Sequence, residues 1–171
     1  NLREVVDACL LLIEQPRATV AEICRRIHGP DFPTGGLLVA DPTEIEAVYT
    51  SGAGALRVRG EWVAERKGRR HLVVITSYPY GLNKASLVET IGGLVAERKL
   101  PQVVDVRDES AEDTRIVLEL RHPDDAGAAM AYLFKHTPLA QTWHVNLTVL
   151  VPAGGGEVPV PARVDLATTL H

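Results

Sequence analysis

In the stretch Leu72-Val73-Val74-Ile75-Thr76-Ser77-Tyr78-Pro79-Tyr80-Gly81-Leu82-Asn83-Lys84-Ala85-Ser86-Leu87-Val88 the apolar pattern changes kind. The first four residues are a short, largely β-branched run, which reads as a strand. A segment carrying Pro79 and Gly81 interrupts it. Asn83 then offers a cap to a helix, because Leu87, Val88, Ile91, Leu94 and Val95 recur at helical spacing. Downstream, Val103 to Val106 and Ile116 to Leu120 read as short strands joined by a polar loop. Ala126, Ala129, Met130, Leu133 and Phe134 mark a second helix, and Val145, Leu147, Val149 and Val151 alternate as a last strand.

Strand, helix, strand, strand, helix, strand is the element order of a split βαβ, ferredoxin-like unit. Upstream of it, Leu56, Val58 and Trp62 alternate with Arg57, Arg59 and Glu61, and Lys67-Gly68 supplies a turn. This strand and the one at 71–76 are expected to form a β-hairpin. Three helices come earlier still. Asn1 caps the first, with the stripe Val5, Val6, Cys9, Leu10 and Ile13, and Pro16 stops it. Thr19 with Glu22 forms a capping box for Val20, Ile23, Cys24 and Ile27. Asp41-Pro42 with Glu44 starts the third, whose face is Ile45, Val48 and Tyr49 and whose end is Gly52. The expectation is an α+β fold: N-terminal helices followed by a β-hairpin and the split βαβ unit, with a mostly antiparallel sheet and helices on one face. The expected organisation is a single domain over 1–171. It has a helical lead-in over 1–52, an α+β core over 55–151 and a tail over 152–171. In the tail, Gly154-Gly155-Gly156 reads as a flexible turn, Pro159 and Pro161 disfavour regular structure, and a short helix fits 163–170.

Bulk properties bound the function. The chain has 171 residues, 46% hydrophobic and 5% aromatic, so aliphatic side chains must do most of the packing. A net charge of -4 argues against a strongly basic, free-standing nucleic-acid binder, so any phosphate contact has to come from a local patch. Cys9 and Cys24 fall on apolar stripes and read as buried free thiols, suited to a reducing cytosol. No apolar run approaches transmembrane length and no leader peptide is evident. The chain does not begin with Met, which points to a longer parent.

A search for chemistry yields little. The six histidines make no close pair at ligand spacing, and Gly52-Ala53-Gly54 sits between a helix and a strand, the wrong order for a dinucleotide site. Tyr49 and Tyr132 read as core. Tyr78-Pro79-Tyr80 reads as a rigid turn, or as a site by its loop position. Asp105, Asp108, Glu109, Glu112 and Asp113 read as a solvated loop with Arg107 and Arg115 offsetting their charge. The basic run from Glu65 to His71 is a hairpin tip that either meets phosphates or guards exposed strands from pairing. These residues supply no catalytic constellation and no metal site.

Several stretches together resemble one family, the A subunits of bacterial type IIA DNA topoisomerases (gyrase and topoisomerase IV). They are Gly29-Pro30-Asp31-Phe32-Pro33-Thr34-Gly35-Gly36, Pro79-Tyr80-Gly81-Leu82-Asn83-Lys84-Ala85, Arg107-Asp108-Glu109-Ser110 followed by Arg115 to Leu120, Lys135-His136-Thr137-Pro138-Leu139, and Val145-Asn146-Leu147. Val58-Arg59-Gly60-Glu61-Trp62 and Lys99-Leu100-Pro101 lean toward topoisomerase IV. The chain departs from the family at Ala53 and Ser86, where arginines are frequent, and at Trp143-His144.

The resemblance implies an internal, noncatalytic tower domain that follows the winged-helix domain and supports bent gate DNA during double-strand passage. The tail would lead toward the coiled coil. The DNA-cleaving tyrosine would lie outside these residues, so the segment itself would cleave nothing and hold no metal or cofactor. The parent would be an ATP-hydrolysing isomerase using Mg and ATP through its partner B subunit. It would dimerise through other regions, act on double-stranded DNA and reside in the cytoplasm with the chromosome. Asn83 and Lys84, at a helix start, are then the first candidates for DNA-backbone contact, with simple capping as the equal alternative. Arg57, Arg59, Arg69 and Arg70 follow. The competing reading is a ferredoxin-like regulatory or ligand-binding module with no DNA role.

Overall fold

The computed structural model describes residues 1–152 and 158–171. In chain order the elements are α1 Leu2–Glu14, α2 Val20–Cys24, β1 Leu37–Val39, α3 Pro42–Ser51, β2 Ala53–Arg59, β3 Trp62–Lys67, β4 Arg70–Ile75, α4 Lys84–Ala96, β5 Val103–Asp108, β6 Ile116–Leu120, α5 Ala126–His136, β7 Ala140–Asn146, β8 Thr148–Val151, β9 Val160–Arg163 and α6 Leu166–Leu170. The fold class is α+β with antiparallel sheets. Three sheets form, of order β1-β2-β7, β3-β4-β6-β5 and β8-β9. Contacts group the chain into two compact units. One holds Asn1–Asp31, Leu38–Arg57 and Thr142–His171, and the other Phe32–Leu37 and Val58–Gln141.

The second unit is built on the sheet β3-β4-β6-β5. Its two middle strands carry the near-continuous apolar runs Leu72-Val73-Val74-Ile75 and Ile116-Val117-Leu118, whereas the edge strands β3 and β5 are rich in charge. Charge on an edge discourages pairing with another chain. One face places Val73, Ile75, Ile116 and Leu118 against Leu87 and Ile91 of α4 and Ala129, Met130 and Leu133 of α5. Each large aliphatic side chain buried there stabilises the fold by about 1.5–3 kcal/mol. The opposite face holds a small buried cluster of Leu72, Val74 and Val117.

The split βαβ order holds as far as α5, but the closing strand goes elsewhere. β3 already occupies the free edge of β4, from Trp62↔Ile75 to Lys67↔Arg70. The strand expected over 145–151 is instead two strands, β7 beside β2 and β8 beside β9. The alternating stretch around Leu56 to Trp62 also breaks in two at Gly60. A side chain there would meet the Ser77 carbonyl oxygen at 2.5 Å and Leu139 at 2.6 Å, and the Gly60 N–H donates to the Leu139 carbonyl at 2.8 Å. β2 therefore leaves for its own sheet, and only β3 forms the hairpin with β4.

In the first unit, Ile23, Ile27, Ile45, Val48, Tyr49 and Leu56 share a core with Leu166 of α6. The predicted capping box forms at Thr19 with Glu22; Asp41 caps α3 as expected, closing a second box with Glu44, and Pro42 takes the first helical position. The stripe expected for α1 is corrected. Ala8 and Leu12 are the buried residues, while Val5, Val6, Leu10 and Ile13 are exposed. Pro161 also lies inside a strand, against expectation. It pairs by register with Leu150 in a two-stranded sheet, where every strand is an edge and a missing N–H is tolerated. The short C-terminal helix forms, capped by Asp165. Gly154-Gly155-Gly156 lies outside the described residues. Both cysteines are free and half-buried, and burial pushes the Cys24 thiol up.

Candidate nucleic-acid interface

The six candidate residues fall into different local settings. Asn83 is the N-cap of α4: its side-chain oxygen accepts the Ser86 N–H at 3.1 Å. Lys84 is the first residue of the helix, and its Nζ lies 3.0 Å from Asp108 Oδ2 at the end of β5, both side chains one-third exposed. Asp108 also accepts the Ser110 N–H at 3.0 Å. Hydrogen bonds from Ser110 and then from Lys84 hold the Asp108 carboxyl at about 2. The ammonium of Lys84 is therefore engaged by the protein itself.

Arg70, at the start of β4, reaches Glu119 at 3.3 Å. The Arg59 guanidinium sits over the Phe134 ring, 5.1 Å from its centroid, in cation–π geometry. Arg69 occupies the exposed two-residue turn with Gly68, whose φ of 64° is what the first position of a type II′ hairpin turn requires. Arg57 projects from β2 between the buried residues Leu56 and Val58. Among the described residues, Arg57 and Arg69 form no ion pair.

The sheet separates these groups. Ile75, Ile116 and Asp108 align at one end, near Lys84, whereas Lys67 and Arg70 align at the other. The length of β4 places roughly 17 Å between the two ends. The face of the sheet away from α4 and α5 is no phosphate surface either. Arg115 meets Glu65 and Glu109; Arg107 meets Asp105, Glu109 and Glu119; Arg70 meets Glu119. Four carboxylates thus surround three guanidinium groups. Of the acidic cluster that could have suggested a cation site, Asp105 and Glu109 are engaged in these pairs and Asp108 is held by Lys84. Among the described residues no group of three or more His, Cys, Asp or Glu is arranged to hold a metal ion.

The tyrosines are mostly packed. Tyr49 is buried in the first unit, which pushes its phenol up to about 12. Tyr132 stacks on His136 with ring centroids 4.2 Å apart, and Tyr78 packs against the core of the second unit.

Comparison with known proteins fits this framework. The family of DNA gyrase/topoisomerase IV A subunits matches residues 1–163. The chain belongs to that family. It is 40% identical over 156 residues to the DNA topoisomerase 4 A subunit of Caulobacter vibrioides, covering 90% of this chain and 21% of the relative. It is 40% identical over 154 residues to the DNA gyrase A subunit of Clostridium acetobutylicum, covering 88% and 18%, and 40% identical over 155 residues to that of Pseudomonas aeruginosa, covering 88% and 17%. The chain thus spans about a fifth of the length of these relatives.

Within the second unit, the stretches that resembled the family meet one another. The Thr34 hydroxyl donates to the Tyr78 carbonyl at 3.1 Å, joining the first loop to the residue before Pro79. Lys84 of the second stretch grips Asp108 of the third. Ser110 then accepts the Arg115 N–H at 2.9 Å, which closes the loop between β5 and β6. These family-like residues form a packing set as much as a binding set. Sequence reading passed over one more basic pair, Arg98 and Arg121, which line a cleft at the end of α4. Its only sequence signal is a basic pair, Arg98-Lys99, closing a helix before Leu100-Pro101.

Proposed function

We propose that residues 1–171 are the tower domain of the DNA-cleaving polypeptide of a type IIA topoisomerase, a noncatalytic support for the bent gate-segment DNA during double-strand passage. The observation that carries this reading is the family match over residues 1–163, shared by relatives named as the A subunits of DNA topoisomerase 4 and DNA gyrase. On this reading the parent is an ATP-dependent isomerase of the cytoplasm. It pairs with a B subunit that handles ATP and Mg, dimerises through other regions, and cuts DNA with a tyrosine outside this segment.

The physical role follows from stiffness. Bending a duplex over a short site costs about 1–6 kcal/mol, and cations beside its arms offset part of that through phosphate contacts. Arg57 and Arg69 are the strongest of the six candidates, because their charges are engaged neither by a carboxylate, as those of Lys84 and Arg70 are, nor by an aromatic ring, as that of Arg59 is. Asn83 and Lys84 rank lower than the sequence suggested, since capping and the Asp108 pair occupy them.

The test uses the full-length parent assembled with its B subunit. Binding of a duplex is measured across a salt series for the wild type and for Arg57→Gln and Arg69→Gln. Each lost phosphate contact should weaken binding on all sequences and reduce the salt slope by about 1. Unchanged affinity and slope for both variants removes these residues from the interface. Retention of strand passage after deletion of the domain removes the supporting role.

A further inference from the structure

At the C-terminal end of α4 the second unit has a cleft of about 460 Å³, lined by Val95, Leu100, Pro101 and Val104 with Arg98 and Arg121 among its walls. Three features point to a ligand. First, Arg98 holds φ 58°, the only non-glycine residue with positive φ among those described, at a position helices usually give to glycine. Second, the helix end does not need its guanidinium. The carbonyls of Gly93, Leu94 and Val95 already accept the N–H groups of Glu97, Lys99 and Arg98. Third, Arg121 is preset: its Nε donates to the Pro101 carbonyl at 2.7 Å, which orients the fork and leaves its terminal nitrogens for another acceptor. Among the described residues neither guanidinium meets a carboxylate, although the same unit pairs Arg70, Arg107 and Arg115 with acids.

We infer that this cleft docks an acidic–aliphatic peptide segment, with Arg98 and Arg121 taking a carboxylate and the aliphatic floor taking the neighbouring side chain. Charge complementarity selects an acid, and the floor selects the class of partner. A phosphodiester offers little to Pro101 and Val104, both exposed, whereas an aliphatic side chain covers them. This inference stands apart from the DNA-supporting role.

The test uses the 171-residue chain and a fluorescent octapeptide of alternating leucine and glutamate, followed by anisotropy and by amide chemical-shift mapping. The peptide should bind at submillimolar concentration and perturb residues 95–104 and Arg121. A glutamine-for-glutamate peptide should bind about tenfold more weakly, the loss of a charge-assisted hydrogen bond. Arg98→Gly and Arg121→Gln should each weaken the acidic peptide by about tenfold, and Arg98→Lys by less. Arg98→Gly keeps the left-handed backbone, so its loss of binding should come with undiminished thermal stability. Failure to bind at millimolar peptide, equal binding by the variants, or shifts mapping elsewhere would overturn the proposal. Perturbation of the same residues by a DNA duplex but not by the peptide would overturn it too, in favour of a nucleic-acid contact.

Discussion

Arg115, immediately before β6, reaches across β4 to Glu65 on β3 with two parallel hydrogen bonds of 2.9 and 2.7 Å. β4 lies between the two strands, so the pair strides over the face that holds the buried cluster of Leu72, Val74 and Val117. Arginine stems cover apolar surface while their heads stay in water. The pair thus roofs a sheet face that carries no helix from its own unit.

Glu65→Gln and Arg115→Gln should each lower the thermal midpoint by less than about 4 °C, because exposed pairs contribute little even when bidentate. The double variant should lose less than the sum of the single losses. Thermal unfolding followed by circular dichroism reads all three, and strict additivity would show that the pair is not coupled.

Acid should remove the contribution of Asp108. Its carboxyl is held at about 2 when folded, below the ordinary unfolded value of about 3.9. The folded state then prefers the ionised form, so stability from this group is complete above the unfolded value. It is lost as pH falls from about 4 toward 2. Glu22, Asp41, Glu65 and Asp165 are shifted down as well, with the same sign. Urea unfolding between pH 2 and 6 should show a steep acid limb that is shallower in Asp108→Asn.

Arg98→Gly should stabilise the chain by about 0.5–1 kcal/mol. Relief of the left-handed penalty exceeds the entropy that glycine adds to the unfolded state. An unchanged or lower urea midpoint would mean that the Arg98 side chain returns as much as its backbone costs.

Gly52 ends α3 at φ 69°, and a Cβ there would overlap the Val164 carbonyl oxygen. Gly52 also accepts the Leu147 N–H at 2.7 Å, and Leu147 accepts that of Val164 at 3.0 Å. Gly52→Ala therefore combines backbone strain with a clash against main chain and should cost about 3 kcal/mol or more. Loss of the cooperative transition, or a drop in soluble yield, is the expected readout.

Local chemistry made much of this fold legible in advance. Asp41-Pro42 with Glu44 and Thr19 with Glu22 specify helix starts through bonds only a few residues long, and both boxes form as the sequence dictates. Asn83 is a cap for the same reason. The face of α1 was not legible. The helix is amphipathic, but the face this unit buries carries Ala8 and Leu12 rather than the main apolar stripe, and which face meets a neighbour is set by packing, not by periodicity.

The sequence by itself determined the α+β class, the helix boundaries set by caps, the buried middle strands and membership in the A-subunit family of gyrase and topoisomerase IV, because these depend on neighbours in the chain and on motif order. Only the tertiary structure decided which edge of β4 is taken, where the last strands go, that Lys84 is spent on Asp108 and that Arg98 and Arg121 share one cleft. Each of these is a pairing between residues distant in sequence. Such a partner is set by strand register and chain closure in space, which no local pattern encodes.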